Sequence, residues 1–303
     1  MKFPETVEWE STAACFYGCY HCGQDAGKPW EDELDTGEAL GMFDELAASG
    51  VRRMIITGGE FTLRDDWLIL LKRAIEVFEL PQVVTNGSPG SGFAGAVKRI
   101  PGWERLLVSL SLDGTKAVHD ARRGRGSFRR IKEILDDGLA GRVEVITVLA
   151  RDNIGGILNL REFLSGYKLS GWRIQVALPL GRMKNNMLLS QAQIARIAGI
   201  IRGWARGGEG KPANITCDQW ISGKMPESGA FECPAGSGSA VILADGSVTG
   251  CSLLRGRVFG NIRVESFQDI WYGKGMSALR EMKAREGLTC RTCSDALRDS
   301  GFF

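Results

Sequence analysis

Three closely spaced cysteines near the start of the chain carry the chemistry that the sequence shows most directly. The segment Cys15–Cys22 reads CFYGCYHC and places its thiols in a C-x3-C-x2-C pattern. Cysteine thiolates are soft ligands that suit iron–sulfur clusters, and closely spaced cysteines in a loop can wrap one [4Fe–4S] cube. Because a cube has four irons, Cys15, Cys19 and Cys22 would leave one iron open to substrate or cofactor, as in catalytic metal sites. A zinc site and unconnected buried thiols are the alternatives.

The eight cysteines fall into three groups along the chain. Eight cysteines in 303 residues without a secretion signal argue for metal ligation rather than disulfides. Cys217 stands alone between the N-terminal three and a C-terminal group of four. That last group consists of Cys233, Cys251, Cys290 and Cys293, and it ends in a CxxC.

The composition argues against several classes of partner. Hydrophobic residues make up 44% of the chain, which is ordinary for a globular protein, and a net charge of +2 gives no argument for nucleic acid or an acidic membrane surface. The N-terminus, MKFPETVEWE, lacks the apolar core of a signal peptide, and no apolar run approaches the length of a bilayer. We therefore predict a soluble, cytoplasmic protein that binds neither nucleic acid nor membranes.

Strand-like and helix-like segments alternate over the first two thirds of the chain. The strands are predicted at 6–14, 53–57, 82–85, 105–111, 142–149 and 172–178, and the helices around 40–47 and at 65–78, 127–137, 157–166 and 190–205. Six strand–helix units with short connections predict a parallel sheet with right-handed crossovers. Polar residues and glycines recur at the carboxyl ends of the strands, where both α/β barrels and open doubly wound sheets place their sites.

The pattern changes beyond about residue 210. Val241–Ala244 and Ser247–Cys251 flank Asp245-Gly246, a strong signal for a β-hairpin. Short helices are predicted at 266–272 and 275–286. This region has a small hydrophobic core for its length, so we expect a bound metal to stabilise it. We predict one domain at 1–210 and a small α+β domain at 211–303.

The cysteine spacing and four further motifs, in order, resemble the radical SAM enzymes. The motifs are Gly58-Gly59-Glu60, the SLDG that ends at Gly114, the HDxxRG that ends at Gly124, and the C-terminal cysteines. His21 stands where relatives have an aromatic residue, and Phe61 where many have proline. The resemblance implies a partial (β/α)6 TIM-like barrel and a [4Fe–4S] cluster whose open iron binds S-adenosylmethionine. Reductive cleavage by a flavodoxin- or ferredoxin-type electron donor would then give a 5′-deoxyadenosyl radical.

The resemblance also implies which residues bind the cofactor. Glycines after a strand let the backbone approach a ligand closely, and Glu60 would accept hydrogen bonds from the methionine ammonium group. Ser109 and Ser111 share one face of their strand and would contact the ribose and the carboxylate. The HDxxRG region is one residue shorter than in relatives, so Arg122 is the alternative to Arg123 at the carboxylate. The full set is Gly58, Gly59, Glu60, Asn86, Ser109, Ser111 and Arg123, with Thr85 weaker and His119 expected to cap or pack.

The C-terminal cysteines resemble the reduced SPASM form called a twitch domain. That resemblance implies an auxiliary [4Fe–4S] cluster held by Cys233, Cys251, Cys290 and Cys293. A zinc ribbon is the structural alternative, because four cysteines with a closing CxxC also suit tetrahedral zinc.

The type of reaction that we predict depends on the role given to the lone Cys217. Several radical SAM epimerases carry an extra cysteine near this junction as a hydrogen-atom donor, which Asp218 would help to orient, although a small buried hydrophobe is the ordinary reading. We predict epimerisation of a peptide residue, with a sugar or small molecule as the other substrate class. Fourteen residues before Cys15 leave no room for a leader-binding domain, which favours a separate partner or a small substrate. The alternatives are oxidative crosslinking or dehydrogenation through the auxiliary cluster, a two-cluster electron carrier, and a zinc-stapled binding protein.

Overall fold

The computed structural model describes residues 2–137, 139, 141–206, 215–217 and 233–286, which form two compact units. The first unit is drawn from Met1–Ala14, Lys28–Gln82 and Ala230–Phe303, and the second from Cys15–Gly27 and Val83–Gly229. These units are defined by contacts within the structure, so they do not test the domain boundary predicted at residue 210, which stays a prediction.

Strands β1 (Thr6–Glu10) and β2 (Arg53–Thr57) form the parallel pair of the first unit, and α1 (Thr36–Ala48) connects them. α1 begins at a capping box, in which the Asp35 side chain accepts from the Glu38 amide and the Glu38 side chain accepts from the Asp35 amide. Trp9 of β1 is fully buried and meets Phe43 of α1 edge to face at 5.5 Å. α2 (Trp67–Val77) follows β2.

The hairpin predicted from Asp245-Gly246 is confirmed, and it is part of the same sheet as β1. β8 (Ser239–Ile242) and β9 (Ser247–Thr249) pair antiparallel, and β10 (Gly260–Asn261) extends them. β8 also pairs in parallel with β1. The first strand ends two residues earlier than predicted, because 243–246 form a four-residue turn in which the Gly246 amide donates to the Leu243 carbonyl at 3.0 Å. The short helices α8 (Phe267–Tyr272) and α9 (Lys274–Glu286) lie where they were predicted.

The second unit contains four parallel strands that pair in chain order. They are β4 (Leu107–Ser111), β5 (Val143–Leu149), β6 (Gly171–Val176) and β7 (Ile215–Cys217), with α3 (Gly92–Lys98), α4 (Lys116–Arg123), α5 (Ser127–Asp136), α6 (Ile157–Ser165) and α7 (Gln191–Arg206). β3 (Leu80–Thr85) contributes residues to both units. Alternate residues separate an apolar face, with Val108 and Leu110 buried, from a polar face.

The polar face of these strands carries an ion pair between the half-buried Arg173 and the buried Glu144. Arg173 donates from Nη2 to Glu144 at 2.7 Å and from Nε at 3.2 Å, and the Ser109 hydroxyl donates to the same carboxylate at 2.9 Å. Glu144 is 8% exposed. Ser109 is thereby committed to a structural contact in the middle of its strand.

The α/β class and the alternation of strands and helices are confirmed. Three elements of the second unit were not predicted: α3, α4 and β7. The α4 sequence KAVHDARR is short and mostly polar, and β7 has only three residues, so neither gives a periodic apolar signal. Of the helices that the structure describes, none combines the length and apolar character needed to cross a membrane.

Candidate functional site

The three N-terminal cysteines lie in the loop 15–27, which contains no helix or strand beyond a single bridge residue. The Cys15 amide donates to the Gly27 carbonyl at 2.9 Å and closes the loop, and the Cys22 amide donates to the Cys19 carbonyl at 3.1 Å. Cys19 is buried and the other two are half-buried. The loop therefore holds three cysteines in one short stretch.

Nitrogen donors from the protein reach two of these sulfurs. The Asn86 side chain donates from Nδ2 to Cys15 Sγ at 3.4 Å, and the Ala26 amide donates to Cys22 Sγ at 3.5 Å. N–H groups on sulfur favour the thiolate, which is the form that ligates metal. Burial raises the pKa of the Cys19 thiol, and the positive charges of Arg123 and Arg182 act against that rise. Asn86, predicted as a cofactor residue, contacts the first cysteine.

The thiols do not converge as they would around a single ion. Among the described residues, no three histidine, cysteine or carboxylate side chains are close enough to hold one metal ion. A cubane cluster differs from a single ion because each cysteine ligates a different iron, so its ligands stand further apart.

Asp113, at the carboxyl end of β4, connects the cysteine loop to the strands. Its carboxylate is fully buried and accepts from His21 Nε2 at 3.2 Å, from Arg123 Nε at 2.6 Å and from the Val148 amide at 3.0 Å. Its backbone carbonyl accepts from the Asn153 side chain at 2.8 Å. His21 is adjacent to Cys22, so this one carboxylate fixes the third cysteine relative to β4 and β5.

The charges in this cluster are set by burial and pairing. Burial would raise the pKa of Asp113, but the Arg123 charge and the His21 hydrogen bond outweigh it and hold that pKa well below the usual range. Burial lowers the pKa of His21 despite its contact with Asp113. His21 is thus neutral near pH 7, with its proton on Nε2, and its Nδ1 is buried without a hydrogen-bond partner among the described residues.

A second contact runs from the same loop to the end of β5. The Tyr20 hydroxyl donates to Asp152, and burial followed by that hydrogen bond raises the pKa of the phenol. Arg122 lies over the Tyr20 ring at 5.5 Å and donates to the Val148 carbonyl at 2.9 Å. Arg122 and Arg123 therefore take different partners, and only Arg123 pairs with Asp113.

The glycine turn after β2 belongs to the first unit. The Gly59 amide donates to the Thr12 carbonyl at 2.7 Å, and the Glu60 amide to the Ala14 carbonyl at 2.8 Å, which continues the β1–β2 pairing. Gly58 has φ +134°, and a Cβ there would lie 2.6 Å from the Thr12 carbonyl oxygen; at Gly59 it would lie 2.2 Å from that of Ala14. Neither position tolerates a side chain without moving backbone.

Glu60 is 1% exposed. Its Oε1 accepts from the Thr62 hydroxyl at 2.6 Å and from the Thr62 amide at 3.3 Å. The carboxylate is thus oriented by the Thr62 hydroxyl and amide.

Ser111, a predicted cofactor residue at the end of β4, is half-buried.

The described cysteines of the C-terminal group line a common pocket in the first unit. Cys233 is 8% exposed and Cys251 is half-buried. Lys283 of α9 donates to the Cys233 carbonyl, to the Ala235 carbonyl at 2.5 Å and to the Ser237 hydroxyl at 3.3 Å. The rest of the lining is mostly apolar: Ala235, Leu253, Leu254 and Leu279. Two thiols facing apolar walls and one ammonium suit an anionic, soft-ligand group.

Several predicted residues lie outside this description. Cys290, Cys293 and Asp218 fall outside the described residues. Cys217 ends β7, in register with Ile174 of β6. Their predicted roles stay predictions.

Sequence reasoning missed the residues that hold the cysteine loop. Asp113 was part of the SLDG motif but had no role, and His21 was noted only as a departure from the usual aromatic. A polar residue just before the third cysteine was the available signal, since a buried histidine needs a partner.

Comparison with known proteins matches two family models to the chain. The sequence model of the radical SAM superfamily matches residues 9–163, and that of the SPASM iron–sulfur cluster-binding domain matches residues 233–294. The first match covers half of the chain and includes the cysteine loop, and the second includes all four C-terminal cysteines.

Curated relatives differ in how much of their length is shared. The mycofactocin maturase MftC of Mycobacterium tuberculosis is 32% identical over 187 residues, which is 60% of this chain and 47% of that protein. The AdoMet-dependent heme synthase of Methanosarcina barkeri is 26% identical over 96% of this chain and 88% of that protein. The chain spans about half of the length of the maturases that it matches.

Solved structures share the fold at low sequence identity. SuiB of Streptococcus suis bound to S-adenosylmethionine has a TM-score of 0.77 at 16% identity, covering 92% of this chain and 68% of that one. SuiB bound to its precursor peptide SuiA gives 0.77 at 15% identity, covering 92% and 66%. The predicted TIM-like barrel class is confirmed by these neighbours.

Proposed function

The chain belongs to the radical SAM superfamily, and from that membership we propose that it cleaves S-adenosylmethionine reductively and uses the resulting 5′-deoxyadenosyl radical to abstract hydrogen from a peptide residue. The two matched domains bring S-adenosylmethionine, a [4Fe–4S] cluster and auxiliary iron–sulfur ligation. The cofactors supply the radical chemistry, and the protein holds and orients them and the substrate.

One observation carries the cleavage proposal. The three cysteines of the loop 15–27 are fixed to the carboxyl ends of β4 and β5 by the buried His21–Asp113 contact. In α/β barrels that end of the strands holds the active site. A two-cluster electron carrier would have no need for cysteines in this position, or for a Gly58-Gly59-Glu60 turn in barrel order.

The first test is S-adenosylmethionine cleavage after anaerobic cluster reconstitution. Cys15→Ala should abolish 5′-deoxyadenosine formation, because removing a thiolate ligand leaves two cysteines for the cluster. The assay is chromatography of 5′-deoxyadenosine formed with a chemical reductant. Two intact clusters in the wild-type protein with no cleavage, with or without candidate peptides, would contradict the enzyme proposal.

For the reaction itself we propose redox-neutral epimerisation with Cys217 as hydrogen-atom donor. A thiol S–H bond is weaker than most C–H bonds, so a cysteine can return a hydrogen atom to a carbon radical from the face opposite abstraction. The thiyl radical left on its sulfur would then take one electron from the external reductant and one proton from water, which restores the thiol. The backbone of Cys217 pairs with β6 as the last residue of β7. In parallel sheets of this class, residues at carboxyl strand ends border the active site.

Oxidative chemistry is the second candidate. The pocket that contains Cys233 and Cys251 supports it, because a cluster there would be available as an electron acceptor. The relative matched over 96% of this chain is a heme synthase, so a tetrapyrrole belongs among the trial substrates beside peptides.

Mass spectrometry of the product formed in deuterated water separates the two reactions. Epimerisation should add one deuteron without a change in redox state, and Cys217→Ala should lose that product while it still forms 5′-deoxyadenosine. Loss of two hydrogens that is insensitive to Cys217→Ala would instead assign oxidative chemistry.

A further inference from the structure

The cysteine loop is held by a residue pair that lies far along the chain. After β6, the chain forms a loop that contains Gly181 and Arg182. The loop 15–27 lacks regular secondary structure, so bonds from elsewhere must fix its shape.

Arg182 makes four hydrogen bonds to the cysteine loop. Its Nε donates to the Cys19 carbonyl at 2.9 Å, and its backbone amide donates to the Cys22 carbonyl at 3.0 Å. Its Nη1 donates to the Ala26 carbonyl at 2.7 Å and to the Asp25 carboxylate at 2.9 Å. These bonds join Cys19 and Cys22, in the middle of the loop, to Asp25 and Ala26 near its end.

Gly181 allows this approach. It has φ +53°, and a Cβ there would lie 2.3 Å from the Cys22 carbonyl oxygen and 2.8 Å from the Gly23 carbonyl. Any side chain would collide with backbone, so substitution must push the two loops apart. The close approach at Gly181 therefore positions Arg182.

The remaining nitrogen of the Arg182 guanidinium is Nη2. Nη2 of Arg182 is buried and has no hydrogen-bond partner among the described residues. A [4Fe–4S] cluster brings sulfide and thiolate acceptors and negative charge, which a guanidinium complements. The residue set thus suits a bound cluster beside this loop.

We propose that Gly181 and Arg182 form a clamp that holds the cysteine loop in its cluster-binding shape, which makes Arg182 a positioning residue for the radical SAM cluster. This rests on the proposed function, since it assumes a cluster at Cys15, Cys19 and Cys22. Replacing a residue that hydrogen-bonds to a metal ligand and orients it typically lowers the metal affinity by about 10- to 100-fold.

The test compares Arg182→Gln, Arg182→Lys and Gly181→Ala with wild type in the reconstituted full chain. Two readouts report on this cluster: the part of the reduced EPR signal that changes when S-adenosylmethionine is added, and the rate of iron loss to a ferrous chelator. We expect R182Q and G181A to lose most of the responsive signal and to release that iron about 10- to 100-fold faster. R182K should be intermediate, because lysine keeps the charge but lacks the planar fork.

Arg151→Gln is the matched control. Arg151 is exposed; its side chain donates to the Leu188 carbonyl at 2.7 Å and its backbone amide to the Met187 carbonyl at 3.0 Å. Neither partner belongs to the cysteine loop. The Arg151→Gln variant should match wild type in both readouts. The auxiliary-cluster signal, which does not respond to S-adenosylmethionine, reports in each sample that the chain is folded.

Wild-type behaviour of both R182Q and G181A would overturn the clamp. If R182Q does not fold, G181A and R182K decide by the same two readouts. A wild-type protein with no responsive signal and no 5′-deoxyadenosine would defeat the proposed function itself, which is a different result from a responsive wild type with unaffected variants.

Discussion

Individual charged side chains around Asp113 are arranged so that each buried charge has a partner. The Asp113 carboxylate and the Arg123 guanidinium compensate each other at 2.6 Å, and neutral His21 adds a hydrogen bond without a further charge. An unpaired charge at such depth would cost several kcal/mol, on the order of the values seen for broken buried pairs. The Arg123 guanidinium is accordingly paired with Asp113, and its predicted contact with the carboxylate of S-adenosylmethionine stays a prediction.

His119 gives a residue-scale prediction about pH. It is fully buried in α4, its Nδ1 accepts from the Asp113 amide at 3.1 Å, and burial lowers its pKa from 6.5 to about 3. Between pH 6.5 and about 3, His119 is therefore protonated in the unfolded chain and neutral in the folded chain. Stability from this residue is complete above pH 6.5 and falls as the pH is lowered, by about 2 kcal/mol at pH 5.

Urea unfolding at pH 7.5 and pH 5, under anaerobic conditions, checks this. His119→Asn keeps a hydrogen-bond acceptor near the position of Nδ1 but does not titrate. Between the two pH values, its free energy of unfolding should therefore fall by about 2 kcal/mol less than that of the wild type. The same loss in both proteins would show that His119 is not the group responsible.

At the scale of elements, the β8–β9 hairpin is attached to β1 by charge as well as by backbone pairing. Glu10, at the end of β1, is 2% exposed and accepts from Arg255 Nε at 3.1 Å, with a second contact from Nη2. Burial lowers the pKa of Arg255. Arg255 lies four residues after Cys251, so the pair fixes the segment that carries one auxiliary cysteine.

A double-mutant cycle of Glu10→Gln and Arg255→Met measures this contact. We expect a coupling energy of about 2 kcal/mol in the free energy of unfolding, because both groups are shielded from water. Hydrogen exchange in β8 and β9 should rise in each single variant.

The pair Arg52–Glu79 in the same unit is the matched control. Its side chains are 52% and 62% exposed, so solvent screens the attraction and the coupling should be much smaller. Equal coupling in the two cycles would mean that Glu10–Arg255 adds nothing beyond a surface contact.

For the whole molecule, the cysteine partition predicts the metal content. Two [4Fe–4S] clusters amount to about eight irons per chain. Cys251→Ala should reduce this to about four, since an auxiliary cluster with a missing ligand is not retained, while the S-adenosylmethionine-responsive signal remains. Iron and sulfide analysis with EPR on the reconstituted protein provides the measurement.

Cys217→Ala is the control for this experiment and should keep the full iron content, because Cys217 is not a predicted ligand. About one zinc per chain in place of the auxiliary iron would favour the zinc-ribbon alternative. Full iron retention in C251A would remove Cys251 from the ligand set.

The sequence by itself determined the local features. Strand and helix positions such as 53–57 and 127–137 follow from periods of 2 and 3.6 residues, which need no knowledge of the partner. The C-x3-C-x2-C spacing and the motif order identified the family because they are short-range patterns with a chemical requirement. The Asp245-Gly246 turn was likewise readable, apart from a shift of two residues.

Tertiary structure decided which distant residues serve the cysteine loop. His21 contacts Asp113, which lies ninety-two positions further along the chain, and the Cys19 carbonyl accepts from Arg182, which lies 163 positions further along. Periodicity carries no information about such partners, because hydrogen bonds between distant segments depend on how the strands are ordered and in which register they pair. The attachment of β8 to β1 is of the same kind. The sequence thus supplied the ligands and the elements, and the pairing of the strands supplied the supports that hold them.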